Sequence, residues 1–283
     1  MRDLFVLLGH PVSHSLSPTM YRAAFRSLGI SAAYVALDVR EFEPAWLAVR
    51  RLQVRGGNVT VPWKEAAAGA LDEASERARR LGSANTFWRT SEDRIAGTET
   101  DGEGFLRAVE EDFGVPASGL RVAVLGAGGG GRAVAAALAA AGAPAIALWS
   151  RTRERTERLA AELRGEGYEG ALAELESGAG GPRLPPGEGV DLLVNATSLG
   201  LRSGDPAPAD PADFPGARFA MDLVYGREPS AFLRACAAAG AQTADGRAML
   251  LHQGARAFEL WFARPAPLDA MRAALAHALA RPS

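Results

Sequence analysis

The sequence predicts an α/β protein made of two open α/β domains. Three observations lead there. The chain has 283 residues, a length that suits two domains better than one or three. Short apolar runs alternate with helical patterns along most of it. Near the middle, a glycine-rich stretch lies between a strand pattern and a helix pattern.

Taken in order, residues 4–8 and 33–37 are apolar runs of strand length, and 18–28 and 44–53 carry helical spacing. Residues 58–61 form a third strand. Pro62 ends it and suits the first turn of a helix beginning near Lys64. Residues 84–88 and 94–96 form a strand pair around a turn at 91–93. A second domain starts near residue 103, with a linking helix over 104–113 and a Pro/Gly connector over 114–119. A strand follows over 121–125, then a glycine loop over 126–131 and a helix of strong formers over 132–141. The next strand is 145–149 and the next helix, charged and amphipathic, 153–164. Residues 177–189, rich in Gly and Pro, read as an exposed, mobile loop. Further buried strands lie at 190–194 and 219–224, and helices at 230–239, 247–261 and 268–279.

Charge and cysteine content narrow the function. The formal net charge is −2 and the pI near 6.1, so no basic excess meets a phosphate backbone and nucleic acid is not expected as a partner. Cys236 stands alone, which excludes an internal disulfide and a thiolate metal cluster, and the four histidines are scattered, so no metal site is indicated. The run 4–8 is too short for a secretory signal. The Ala/Gly stretch 122–149 contains Arg132 and many glycines, so it is a poor membrane span. A cytoplasmic protein with no membrane partner is the expectation.

A finer count is more informative. Of 31 basic residues, 30 are arginine and one is Lys64; the only asparagines are Asn58, Asn85 and Asn195. In a chain this biased, a surviving lysine or asparagine is either a straggler of the composition or a candidate for a position where chemistry demands it, and its location decides between the two. Lysine can release its proton at usable pH and arginine cannot.

The glycine stretch reads Gly126-Ala127-Gly128-Gly129-Gly130-Gly131, a G-x-G-x-x-G between strand and helix. The first glycine permits the turn, the second lets backbone approach a pyrophosphate, and the third lets the helix pack close to the strand. This is the fingerprint of a Rossmann-type dinucleotide domain. The next strand ends without the carboxylate that would hold an NAD ribose. It continues Ser150-Arg151-Thr152-Arg153-Glu154-Arg155, whose guanidiniums suit a 2′-phosphate, so NADP is preferred over NAD.

Polar residues gather in four segments of the first domain: His14-Ser15-Leu16-Ser17-Pro18, Asn58-Val59-Thr60-Val61-Pro62-Trp63-Lys64, Ser83-Ala84-Asn85-Thr86 and Glu99-Thr100-Asp101-Gly102. Ser17 before Pro18 fits a helix N-cap, and Asp101 alone fits one too. With Asn195-Ala196-Thr197-Ser198, Asp222-Leu223-Val224-Tyr225 and Gln253-Gly254, these motifs resemble the shikimate dehydrogenase family over essentially the whole chain.

The resemblance implies a discontinuous enzyme. Residues 1–104 plus 240–283 would form an N-terminal substrate domain to which the C-terminal helices return, and 105–239 a Rossmann-type NADP-binding domain. Shikimate would lie between them. Ser15, Ser17, Thr60, Lys64, Asn85, Asp101, Tyr225 and Gln253 would bind substrate, with Lys64 and Asp101 as the catalytic pair. Gly126, Ala127, Gly128, Gly129, Gly130, Ser150, Arg151, Thr152, Arg155, Thr197, Leu223 and Gly246 would bind NADP. The implied reaction is NADP-dependent reduction of 3-dehydroshikimate to shikimate in aromatic amino-acid (chorismate) biosynthesis, by a monomer or homodimer. A paralogue acting on quinate or an aminoshikimate, and a catalytically silent ligand-binding homologue, are the alternatives. Departures from the family pattern include Glu99 where asparagine is usual, Tyr21-Arg22 in the first helix, Ser150 after the cofactor strand, and Arg227 and Ser230 after Tyr225. Glu99 bears on catalysis if it points inward.

Overall fold

The computed structural model describes residues 3–178, 181–202 and 204–280. Two compact units emerge, Met1–Gly104 with Leu250–Ser283, and Phe105–Met249.

The first unit runs β1 (Asp3–Gly9), α1 (Ser17–Ser27), β2 (Ala32–Asp38), α2 (Phe42–Arg51), β3 (Gly56–Val59), α3 (Lys64–Ala70), β4 (Glu73–Ala74), α4 (Glu76–Leu81), β5 (Thr86–Arg89) and β6 (Ile95–Thr98). Next comes α5 (Asp101–Phe113), whose first residues belong to this unit. The sheet order is β2-β1-β3-β5-β6-β4. β1 pairs in parallel with β2 and β3, whereas β5 is antiparallel to both β3 and β6. β1 is buried on both faces, and that is why it reads as a continuous apolar run. Alternate side chains serve two cores: Phe5 and Leu7 pack with Met20, Phe25 and Phe258, while Val6 and Leu8 pack with Trp46, Val49 and Phe87.

The second unit continues through β7 (Arg121–Leu125), α6 (Gly129–Ala140), β8 (Ala145–Trp149), α7 (Arg153–Gly165), β9 (Ala171–Glu174), β10 (Glu176–Gly178), β11 (Gly181–Arg183), β12 (Leu192–Asn195), β13 (Phe219–Asp222), α8 (Ala231–Ala238) and β14 (Gln242–Asp245). Its main sheet, β14-β13-β12-β7-β8-β9, is parallel throughout. Val122 and Val124 face one core with Val134 and Leu138 of α6. Ala123 and Leu125 face the other with Phe232 and Cys236 of α8. Two helices close the chain, α9 (Arg247–Phe262) and α10 (Leu268–Ala280). No helix among the described residues is long and apolar enough to cross a membrane.

Four expectations shift. The return to the first unit comes at Leu250, not near 240, because β14 completes the second sheet beside β13. Residues 177–189 are not a plain exposed loop: β10 and β11 pair antiparallel, and Leu184 is buried in one core with Leu175 and Phe214. Residues 179 and 180 lie outside the described residues. The glycine run starts α6 at Gly129 instead of looping to 131, with Gly128 as its N-cap. The linking helix begins at Asp101, three residues early, so that carboxylate stands in a helical first turn.

Candidate active site

In a largely parallel sheet, ligands gather beyond the carboxyl ends of the strands. In the first unit those ends carry the predicted polar residues. β3 ends at Val59, two residues before the expected bound, which leaves Thr60 at the mouth of the strand and Lys64 as the first residue of α3. The Lys64 carbonyl accepts the Ala84 N–H at 3.0 Å, fixing the start of α3 to the segment that carries Asn85.

Lys64 Nζ forms an ion pair with Asp101 Oδ2, and the two side chains are only 13% and 11% exposed. Asn85 donates from Nδ2 to the other Asp101 oxygen at 2.5 Å, while its Oδ1 accepts the Thr100 N–H at 2.8 Å. The carboxylate is thus held at both oxygens, by an amine and by an amide. Burial would lower the Lys64 pKa, but the charge and hydrogen bond of Asp101, helped by the charge of Glu99, hold it above the ordinary lysine value. A buried pair of this kind depends on such surrounding hydrogen bonds.

Glu99 points inward. Its Oε1 accepts the Asp101 N–H and its Oε2 the Gly102 N–H at 3.1 Å. Burial first, then the nearby Asp101 charge, push its carboxyl up to about 7 against the pull of Lys64.

The other predicted residues take distinct places. Ser17 is buried as the first residue of α1, but it does not cap the helix; Ser15 Oγ accepts the Ser17 N–H at 3.3 Å. Helical geometry starts one residue before Pro18 and takes Ser17 into the helix, which leaves Leu16 at the N-cap with no side-chain bond to the first turn. Gln253 is buried on α9, donates to the Leu250 carbonyl at 2.8 Å, and meets α5 at Gly104, where a Cβ would sit 2.7 Å from the Gln253 nitrogen. Tyr225 lies in the second unit, half-buried past β13. Residues outside the predicted set complete the network. Tyr34 donates to Asn58 Oδ1 at 2.8 Å, Asn58 donates to Thr86 Oγ1 at 3.0 Å, and Thr86 and Thr100 hydroxyls lie 3.2 Å apart. The scarcity of asparagine pointed to Asn58; nothing in the sequence singled out Tyr34.

The second unit presents a dinucleotide cradle. Gly126 adopts φ +116°, and a Cβ there would meet the Ala196 oxygen at 2.7 Å. A Cβ on Gly131 would collide with the Gly126 carbonyl, so the helix needs glycine to lie this close. Around Gly128, by contrast, nothing lies within 4 Å of a Cβ position. The N-terminus of α6 opens beside it without a side-chain cap, leaving first-turn amides for a phosphate. Ala127 is buried behind the loop, and Leu223 lies 3.6 Å from a Cβ position on Gly130.

Past β8, Ser150 Oγ accepts the Thr152 N–H at 3.4 Å and Thr152 is the N-cap of α7. Arg153 pairs with Glu157 at 2.9 Å, whereas Arg151 and Arg155 are exposed beside it. Thr197 donates to Asn195 Oδ1 at 2.7 Å, and Asn195 donates to Asp222 Oδ1 at 2.9 Å. Burial pushes the Asp222 carboxyl up to about 6, against its bonds from Ser230, Val224 and Asn195. Gly246 passes so close to the Leu223 carbonyl that a Cβ would clash. An open glycine turn, an uncapped helix start and free-standing guanidiniums where an NAD site has a carboxylate fit NADP.

The chain is similar to known proteins over nearly its whole length. Residues 7–87 match the model of the shikimate dehydrogenase substrate binding domain, 108–178 that of shikimate / quinate 5-dehydrogenase, and 246–276 that of the shikimate 5′-dehydrogenase C-terminal domain. The chain is 42% identical over 280 residues to the shikimate dehydrogenase (NADP(+)) of Moorella thermoacetica, covering 98% of this chain and 93% of that one. It is 41% identical to that of Salinibacter ruber, covering 96% and 97%. The crystal structure of shikimate 5-dehydrogenase from Thermus thermophilus with NADP(H) and shikimate superposes with a TM-score of 0.83 at 40% identity, covering 98% of this chain and 99% of that one.

Proposed function

The chain belongs to the shikimate dehydrogenase family, and from that premise we propose how its residues divide the reaction. The protein is an NADP-dependent oxidoreductase that interconverts 3-dehydroshikimate and shikimate in aromatic amino-acid biosynthesis. NADPH, when bound, supplies the hydride that reduces the ring ketone. That leaves alkoxide charge on oxygen, which a positioned ammonium both stabilises and quenches. Lys64 gives its proton from Nζ to that oxygen and is then reprotonated from solvent. In the oxidative direction the neutral amine takes the hydroxyl proton. Asp101 aims the ammonium and accepts from a neighbouring substrate hydroxyl.

Ser15, Ser17, Thr60, Asn85, Tyr225 and Gln253 hold the remaining hydroxyls and the carboxylate. Gly126 to Gly130, Ser150 to Thr152, Arg155, Thr197, Leu223 and Gly246 hold NADP. In this reading the unit Met1–Gly104 with Leu250–Ser283 binds substrate, and Phe105–Met249 binds the dinucleotide. A cytoplasmic location, where the buried Cys236 thiol stays reduced, and a monomeric or homodimeric state complete it.

The observation that carries the assignment is the buried Lys64–Asp101 pair with Asn85 on the second carboxylate oxygen. The test is NADPH oxidation with 3-dehydroshikimate by purified Lys64→Arg and Lys64→Met. Arginine keeps the charge but cannot release the proton, so both variants should lose about 10²-fold or more in turnover. Near-normal turnover in Lys64→Met removes lysine from the mechanism.

A further inference from the structure

Glu99 has no part in the chemistry just described, yet it is among the most buried charged groups of the first unit, at 4% exposure. Its two oxygens take the N–H groups of Asp101 and Gly102, the opening amides of α5. The same turn therefore carries one carboxylate on its backbone side and a second, Asp101, directed at Lys64. The charged groups bearing on Glu99 are Asp101 from α5 and Lys64 from α3. Arg256 on α9 is engaged by Glu103 at 3.2 Å and Glu259 at 3.4 Å.

We propose that Glu99 is a positioning residue for the reaction: it ties down the first turn of α5 so that Asp101 meets Lys64, and it is the second anion facing the lysine. The inference rests on the acid–base role given to Lys64 above. Its physical basis is a cluster of one cation and two carboxylates in a site shielded from water, where neither carboxylate can ionise without regard to the other. With Glu99 charged, two anions hold the proton on Lys64; with Glu99 neutral, one does. Burial and the Asp101 charge raise the Glu99 carboxyl to about 7, so its ionisation falls in the working range of pH.

The experiment compares the native protein with Glu99→Gln, which keeps an acceptor for one backbone N–H and cannot ionise, and with Glu99→Asn, which shortens the tie. In the native protein, infrared difference spectra against pH should show a protonated carboxyl disappearing with a midpoint near 7, and that band should be missing from Glu99→Gln. In the reductive direction, the alkaline limb of kcat against pH should move down by about one pH unit in Glu99→Gln, the low end of the effect of a neighbouring charge. Glu99→Asn should show the same displacement. A purely structural role would lower kcat evenly and leave the limb in place. An unmoved limb in folded Glu99→Gln, or no native carboxyl band near pH 7, overturns the inference. If neither Glu99 variant folds, the band that remains in Asp222→Asn, which removes the other raised carboxyl, decides it. Lys64→Met keeps the two failures apart: if it turns over normally the acid–base reading fails, and if it is dead while the limb stays put only the role of Glu99 fails.

Discussion

Removing the amine from position 64 should cost stability as well as turnover, and the two losses separate. Lys64 and Asp101 are both nearly out of water, at 13% and 11% side-chain exposure. Breaking a buried pair by deleting one partner leaves the other charge uncompensated, typically at a cost of about 3–5 kcal/mol. Here the residual Asp101 keeps the Asn85 amide, which offsets part of that, so Lys64→Met should lose about 3 kcal/mol. Asp101→Asn strands the ammonium instead, and should lose about 2–3 kcal/mol, since the lysine can shed its proton. The double variant removes both charges of the pair and leaves only Glu99, which can take up a proton. Its loss should be no greater than that of the worse single variant, giving a coupling energy of at least about 2 kcal/mol. Urea unfolding of the four proteins at one pH measures the cycle, and NADPH oxidation with 3-dehydroshikimate should be abolished in the double variant whatever its stability. Additive losses, or a Lys64→Met variant within about 0.5 kcal/mol of native, would refute the claim that the pair is buried and mutually dependent.

Three further outcomes follow from the same geometry. Because the folded state raises the Glu99 carboxyl from 4.5 to about 7, the native protein binds that proton more tightly than the unfolded chain; this contribution is full below about pH 4.5 and falls by roughly 3 kcal/mol as pH rises to 7, a slope that Glu99→Gln should flatten in urea titrations across that range. Replacing Arg151 and Arg155 together by alanine should raise the KM for NADPH about tenfold or more while leaving the KM for NADH nearly unchanged, as measured by initial rates with both cofactors; equal losses would show that the two guanidiniums do not read the 2′-phosphate. Gly131→Ala places a methyl group against the Gly126 carbonyl, so it should cost about 2 kcal/mol or more and weaken NADPH binding in fluorescence titrations; a native affinity would mean that the turn has room the structure denies it.

Much of this site was legible because chemistry and composition coincide. Lys64 stood out as the single lysine among thirty arginines, and Asn58, Asn85 and Asn195 as the only asparagines. The parallel strands were legible for a different reason: buried on both faces, β1, β7 and β12 are continuous apolar runs. The edge strand β14 was not, since Gln-Thr-Ala-Asp carries no such run and is a strand only because β13 pairs with it. The two-residue β4 and six-residue α4 are too short to build a period. Ser17 misled in another way: its place before Pro18 suits a cap, but the helix takes it in and leaves Leu16, which has no capping side chain, at that position. The inward turn of Glu99 is invisible in a sequence, because a glutamate two residues before an aspartate faces solvent or core depending on where the next helix begins.

The three asparagines show why their scarcity is informative. Each uses donor and acceptor at once, in opposite directions. Asn85 gives an N–H to Asp101 and takes one from Thr100; Asn58 gives to Thr86 and takes from Tyr34; Asn195 gives to Asp222 and takes from Thr197. Ionised aspartate has no proton to give, and at positions 85 and 195 it would set a second negative charge against the buried carboxylate already there. A serine hydroxyl is too short to span the same two partners. Alanine would strand a donor and an acceptor together, each at about 1–3 kcal/mol. A composition that has replaced lysine with arginine almost everywhere can change most polar surface positions without penalty. It cannot change a buried side chain whose two ends meet opposite halves of a hydrogen-bond network, or an amine whose work is to lose a proton.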